Sequence, residues 1–137
     1  MDTLTAPTEV KSDFGYGMIG GIIGGAAFGI LMQLAGIMTT YATIIGGSKD
    51  IDAWFIHILV SAVLGALYGY SVYRVSKSWL IGGLLFGFAL WILGSLIVKP
   101  ILMGNALFTF DAQTWWALLG SLIYGVITSG IFSAFSR

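Results

Sequence analysis

Long apolar runs without a charged residue alternate with short polar segments along the chain. The charge-free runs cover residues 14–48, 53–73, 78–98 and 112–136. Each exceeds the roughly 20 apolar residues that a helix needs to cross the core of a bilayer. The pattern predicts an all-α membrane protein, a four-transmembrane-helix bundle with helices at about residues 14–45, 51–73, 78–103 and 112–135.

The polar N-terminal segment, residues 1–13, contains Pro7 and is expected to form an extended cytoplasmic tail. Ser12 or Asp13 is the expected N-cap of the first helix. The segment lacks the basic region and the short apolar core of a secretory signal, so we expect it to be retained. The remaining residues, 14–137, are predicted to form one transmembrane domain.

The loops between the predicted spans carry residues that favour helix starts. Ser48 or Asp50 is the expected cap of the second helix, and Asp52 is favourably placed in its first turn. Asp111 is the expected N-cap of the fourth helix.

The distribution of basic residues predicts the orientation. Four of the six bases fall on the side of the termini and two on the other: Lys11, Arg74, Lys77 and Arg137 against Lys49 and Lys99. The positive-inside rule then places both termini in the cytoplasm of what we expect to be a prokaryotic cell membrane. The long side chain of Lys99 is expected to reach the outer headgroups.

The composition narrows the function further. Hydrophobic residues make up 58% of the chain and charged residues only 9%, against about 25% charged residues in globular proteins. The net charge is zero, so the composition does not indicate a basic surface that would bind nucleic acid. The absence of cysteine excludes disulfides, thiolate metal sites and cysteine nucleophiles. The expected partners are the lipid bilayer and larger membrane subunits or further copies of the chain, and no cofactor is expected.

Small residues recur at four-residue spacing on three of the predicted helices. In lipid, such a stripe lets a second helix backbone approach closely, so the first helix is expected to be the centre of a glycine zipper around which the others pack. Bulky side chains would then face lipid, leaving little room for a cofactor. The predicted packing residues are Gly17, Gly21, Gly25, Gly29, Ser61, Gly65, Gly69, Ser121, Gly125 and Ser129.

The two halves of the chain also match each other. A shift of 58 residues places Gly24–Gly29 on Gly82–Gly87, and a shift of 60 places Ser61 and Gly65 on Ser121 and Gly125. Each half contains two spans, so the pattern predicts two duplicated helical hairpins. These would be parallel repeats related by an axis along the membrane normal.

Several of these residues resemble a known family. The pattern G-x-x-F-G with Trp91, Gly94, Pro100 and Gly104, together with W-x-x-H-x-x-x-S from Trp54, is similar to a family of small four-helix integral membrane proteins of bacteria and archaea without assigned activity. The family often repeats the histidine in its fourth helix. Here the comparable positions hold Ala117 and Ser121, which argues against a site of paired histidines.

Four polar side chains within or near the spans form the candidate polar site: His57, Gln33, Trp91 and Tyr41. His57 either hydrogen-bonds a backbone carbonyl or a threonine of the first helix, or serves a function at that depth. Gln33, placed near mid-membrane, is expected to bond the indole N–H of Trp91. Tyr41 and its threonine neighbours either line an outward-facing pocket with His57 or form the hydrated end of a helix.

These features predict a non-catalytic membrane protein. The first expectation is a structural or accessory subunit of a larger membrane complex, and the alternative is a small oligomeric channel or carrier for an ion or solute. Small fluoride channels and small multidrug exporters share this size but need an arginine or a glutamate in the membrane that the spans lack. An enzyme is the least supported class, because the sequence offers no catalytic or metal-binding set.

Overall fold

The computed structural model describes residues 7–71 and 78–136, with side chains from Asp13 onward. Five helices form in these ranges, without strands. Four of them contain a segment long and apolar enough to cross a membrane, which confirms the all-α four-span prediction. The helices are α1 Pro7–Leu34, α2 Ile37–Ile44, α3 Asp50–Tyr70, α4 Trp79–Met103 and α5 Ala112–Phe135.

The first helix differs from its predicted bounds at both ends. It begins at Pro7, so the predicted tail is partly helical and neither Ser12 nor Asp13 is its N-cap. It ends at Leu34 instead of residue 45, because Gly36 adopts a left-handed conformation with φ of +74° and α2 begins after it. A residue with a side chain rarely adopts this backbone geometry, so glycine permits the break.

The helix α4 changes its winding in the middle. Residues Ile92–Val98 form a π-helix between two α-helical stretches. In an α-helix the carbonyl of Leu96 would accept from the N–H of residue 100, but that residue is proline and has none. The backbone N–H of Phe108 donates to this carbonyl instead, at 3.0 Å. The loop of residues 104–111 is thereby folded back against α4.

The helix caps follow the sequence in part. The carboxylate of Asp111 accepts the backbone N–H of Thr114 at 2.8 Å, as predicted for the N-cap of α5. Neither Ser48 nor Asp50 caps α3, because its N-cap is Lys49. The carboxylate of Asp52, in the first turn, accepts the N–H of Lys49 at 3.3 Å.

The spans lie side by side in the order α3, α1, α5, α4. The helix α1 packs against both α3 and α5, and α4 packs against α5. The expectation that the other spans surround α1 is therefore right for α3 and α5 and wrong for α4. The two central helices each use two small-residue faces, one for each neighbour.

Backbone contacts define both hairpins. A Cβ at Gly17 would overlap the carbonyl oxygen of Gly65, and one at Gly21 would lie 2.8 Å from the Cα of Gly65. In the second hairpin Gly125 meets the backbone of both Gly83 and Gly87. The α1–α5 contact is also close, because a Cβ at Gly20 would lie 2.6 Å from the carbonyl oxygen of Thr128.

The packing relates the hairpins by a different register from the predicted duplication. Gly65 corresponds to Gly125, a shift of 60 residues as predicted, but Gly17 corresponds to Gly83, a shift of 66 instead of 58. The difference is about two helical turns. A two-fold axis would also require α3 and α4 to pack as α1 and α5 do, and along the described helices they do not. The duplication itself stays a prediction.

The bundle has a distal end and a proximal end. The distal end carries residues 35–49 and 104–111, and the proximal end carries the C-termini of α3 and α5. The turn that contains Arg74 and Lys77, used to predict the orientation, lies outside the described residues.

Candidate functional site

A cleft of about 380 Å³ opens between α3 and α4 in the distal half of the bundle. Its back wall is formed by the two central helices, which contribute Phe28, Met32 and Ser121. The exposed residues Ile56 and Leu93 stand on its two sides. The cleft exists because α3 and α4 do not pack closely along their length, and the prediction of little room for a cofactor stays a prediction.

Aromatic side chains close the proximal half of the same gap. Tyr68 of α3 and Phe86 of α4 meet with ring centroids 5.2 Å apart, and Phe132 packs edge-on against Tyr68. The hydroxyl of Tyr124 donates to the carbonyl oxygen of Ser61 at 2.6 Å and forms part of the cleft floor. The cleft is thus closed towards the proximal end.

The short helix α2 forms the distal cover of the cleft. Met38 and Tyr41 line it from this side, and α2 packs on α3 and on α1. Burial raises the pKa of the Tyr41 hydroxyl, which therefore stays protonated and able to donate. This position supports the predicted alternative in which Tyr41 and His57 line one pocket.

The ring of His57 is held by the central helix. Its Nε2 lies 2.9 Å from the carbonyl oxygen of Gly25, which can only accept, so Nε2 carries the proton. In the neutral ring Nδ1 is then an acceptor. The structure shows the predicted hydrogen bond of His57 to a backbone carbonyl of the first helix. The ring also lines the cleft, and a function for it stays a prediction.

The predicted bond between Gln33 and Trp91 is wrong. The amide oxygen of Gln33 accepts the indole N–H of Trp54 at 2.9 Å, and its nitrogen donates to the carboxylate of Asp50 at 2.8 Å. Gln33 lies next to the C-terminus of α1, because that helix ends at Leu34. Its role is to tie the end of α1 to the start of α3.

The side chain of Trp91 is buried, as expected, but its contacts lie within the α4–α5 hairpin and not with Gln33. Its indole N–H donates to the carbonyl oxygen of Thr114 at 2.8 Å. The ring forms a cluster of three with Phe110 and Trp115, whose centroids lie 6.2 and 6.0 Å from it and 5.5 Å from each other. This cluster joins α4 to the distal loop and to the first turn of α5.

Lys99 lies buried at the distal end, and its predicted reach to the outer headgroups stays a prediction. Its side chain is only 8% exposed, and its ammonium donates to the amide oxygen of Gln113 at 3.2 Å. The amide nitrogen of Gln113 in turn donates to the hydroxyl of Thr40. Through these two bonds the lysine joins α4, α5 and α2 at the distal end.

The chemistry available in the cleft is therefore recognition of an apolar group. Its walls are mainly hydrocarbon and thioether, with hydroxyls from Tyr41, Ser95 and Ser121. Among the described residues no group of three or more His, Cys, Asp or Glu side chains is arranged to hold a metal ion. The sequence analysis did not predict that Ser95 and Gly94 line this site. Pro100, five or six residues later, was a signal of irregular helix at these positions.

The fold defines the class, an all-α integral membrane protein with four candidate spans. No protein-family model, curated protein or solved structure matches the chain. The resemblance to the family of small four-helix membrane proteins stays a prediction from the residues named above.

Proposed function

We propose that the protein is a non-catalytic accessory subunit of a larger membrane complex. The observation that carries the proposal is the position of α3 at the edge of the row of spans, packed mainly against α1. Only 22% of its most apolar window is buried, against 39% for each of the other three spans. A helix with so little of its surface covered fits a bundle that a partner extends.

The outer surface of α3, called the α3 face, is suited to such a contact. Its bulky side chains recur every four residues, and each is at least 47% exposed. Helix association in a bilayer depends on fit, since lipid tails are as apolar as leucine. The residues of the α3 face are Ile51, Phe55, Leu59, Val63 and Leu67. On this proposal the glycine zipper holds the subunit together and the α3 face binds the partner.

The same proposal places the distal end outside a prokaryotic cell membrane and both termini in the cytoplasm. Single cysteines at Ser48 and Asn105 are then expected to react with an impermeant maleimide added to intact cells. Protection of both positions until the cells are opened would reverse the orientation.

Photo-crosslinking in native membranes tests the partner. A photoreactive amino acid at Phe55, the most exposed residue of the α3 face, is expected to give one discrete heavier adduct that contains another membrane protein. The same group at Leu119, an exposed residue of α5, is the matched control and is expected to give lipid adducts. Lipid adducts alone from both positions would contradict the subunit proposal.

The cleft favours the second candidate function, a small oligomeric carrier or channel. Its polar groups His57 and Tyr41 lie in an opening between spans, where a solute could be held. The purified protein in liposomes would then pass an ion or small solute, and His57→Ala would change the flux while Phe55→Ala would not. Flux that is absent, or indifferent to His57→Ala, would exclude this candidate.

A further inference from the structure

The cleft between α3 and α4 has a size that discriminates between occupants. Its volume is about 380 Å³, within the range of small-ligand pockets, which begins at about 300 Å³. A helix with side chains is about 10 Å across and rises 5.4 Å per turn, so one turn fills roughly 400 Å³. The cleft is therefore too small to enclose a length of partner helix, but it can take a single flexible chain.

The lining selects the chemistry of that chain. Methionine and leucine side chains supply much of the wall, including Met32, Met38 and Leu90. Such side chains adapt to a flexible apolar chain and gain dispersion contacts from it. Most of the lining is apolar, so a hydrocarbon occupant keeps few polar groups from water. The occupant is therefore a hydrocarbon chain.

The position of the cleft opening indicates where the hydrocarbon chain comes from. The cleft is entered between two spans, past the exposed side chains of Ile56 and Val60 on α3 and Leu93 and Val98 on α4. These residues belong to membrane-spanning segments, so the opening faces the hydrocarbon of the bilayer. The acyl chains of phospholipids are the hydrocarbon present there at highest concentration.

We propose that the cleft holds one acyl chain of a membrane phospholipid, which enters sideways between α3 and α4. The headgroup stays at the distal surface, and the hydroxyl of Tyr41 is the donor that the distal cover offers to the ester carbonyl. Ser61 and Tyr124 mark the depth that the chain end reaches. The site is separate from the α3 face and does not depend on a partner protein.

Two open glycines provide a matched pair of variants. A Cβ at Gly94, which lines the cleft, and a Cβ at Gly15, which does not, would each meet no atom within 4 Å. Gly94→Phe therefore fills the cleft, whereas Gly15→Phe adds the same ring elsewhere. Circular dichroism and size-exclusion chromatography show whether each variant is folded.

The experiment uses the purified full chain in nanodiscs that contain phosphatidylcholine with a diazirine on one acyl chain. After illumination, peptide mass spectrometry is expected to find label on the cleft residues Phe28 and Tyr41 as well as on the outward-facing Ile23. Gly94→Phe is expected to lose the label at Phe28 and Tyr41 and keep it at Ile23, and Gly15→Phe is expected to keep all three.

Label confined to outward-facing residues of the wild type would overturn the proposal, whether or not Gly94→Phe folds. Equal labelling of Phe28 and Tyr41 in wild type and folded Gly94→Phe would also overturn it. If a second copy of the chain covers the cleft instead, native mass spectrometry shows dimers and the cleft residues stay unlabelled, which again contradicts it.

Discussion

The consequence of adding a side chain to a glycine in this bundle depends on what the new atoms would meet. Gly65 lies between the backbones of Gly17 and Gly21, so any side chain there forces α1 and α3 apart. Gly94 faces the open cleft. Two helical glycines thus have opposite tolerance for substitution.

We expect Gly65→Leu to destabilise the protein by about 1–3 kcal/mol or more, because overpacking a close contact costs this much. The matched variant Gly94→Leu, which enters open space, is expected to stay close to wild type. Thermal unfolding of both variants in the same detergent measures the difference. Equal midpoints would contradict the close packing of α1 on α3.

The carboxylate of Asp111 is predicted to make stability depend on acid. The backbone N–H of Thr114 donates to it and, as the main cause, lowers its pKa in the folded protein. A lowered folded-state pKa stabilises the protein above the unfolded value of about 3.9, and this stabilisation is lost as pH falls through the folded-state pKa.

Asp111→Ala is therefore expected to cost about 1 kcal/mol at neutral pH, as for other helix N-caps. The difference between wild type and variant should shrink in acid, while other carboxylates affect both proteins alike. Asp111→Asn keeps an acceptor and is the control. Thermal unfolding as a function of pH measures it, and a wild-type advantage that persists below the folded-state pKa would contradict this role.

The residues of the candidate site were predicted with unequal success, for a physical reason. Small-residue stripes are visible in sequence because they repeat with the helical period, and residues such as Gly21 and Gly65 do lie at close backbone contacts. The depth of Gln33 was wrong because it was counted along one helix assumed to run from residue 14 to residue 45. The break at Gly36 moves Gln33 to the end of α1.

Among the elements, α4 shows how one missing backbone donor shapes a loop. Pro100 cannot bond the carbonyl of Leu96, and the N–H of Phe108 does so. Phe108 itself has a φ of +57°, which is uncommon for a residue with a side chain. The folded-back loop is therefore a consequence of this proline.

Pro100→Ala is expected to loosen the loop of residues 104–111, because the new N–H competes with Phe108 for the carbonyl of Leu96. Hydrogen exchange followed by mass spectrometry should show faster exchange in this loop than in wild type. Ile101→Ala, which removes an exposed side chain of the same turn, is the control. Unchanged exchange in Pro100→Ala would contradict this account of the loop.

Helix boundaries marked by polar residues were predicted, whereas breaks inside apolar runs were not. The span at residues 112–135 was predicted with the bounds that α5 has, because Asp111 caps it and charge is absent inside it. The separation of α1 from α2 was missed, since the apolar run continues through the break. The π-helical stretch was missed because a single proline near a helix end usually signals only termination.

The arrangement of the whole molecule was the least predictable level. Several helices carry small residues, and helix association in lipid is decided by fit, so sequence alone does not choose which faces meet. The observed row leaves α3 and α4 apart and creates the cleft. The prediction of a bundle closed around α1 therefore identified the close helix contacts of α1 but not the cleft between α3 and α4.

The position of α3 at the edge of this row is the basis for the central claim, that the protein works as part of a larger membrane assembly. The proposed glycine zipper accounts for a stable small unit, and the α3 face remains available for a partner. The subunit composition of such an assembly can be measured in the native membrane without knowing the partner.

Native mass spectrometry of the endogenous protein, extracted from its own membrane in mild detergent, is the most direct test. We expect a complex in which one or more copies of this 14.6 kDa chain accompany a larger membrane protein. We also expect that a charged substitution on the α3 face, Leu59→Asp, releases the chain from the complex, while Leu119→Asp on α5 does not. Recovery of the wild-type chain only alone or with itself would contradict the claim.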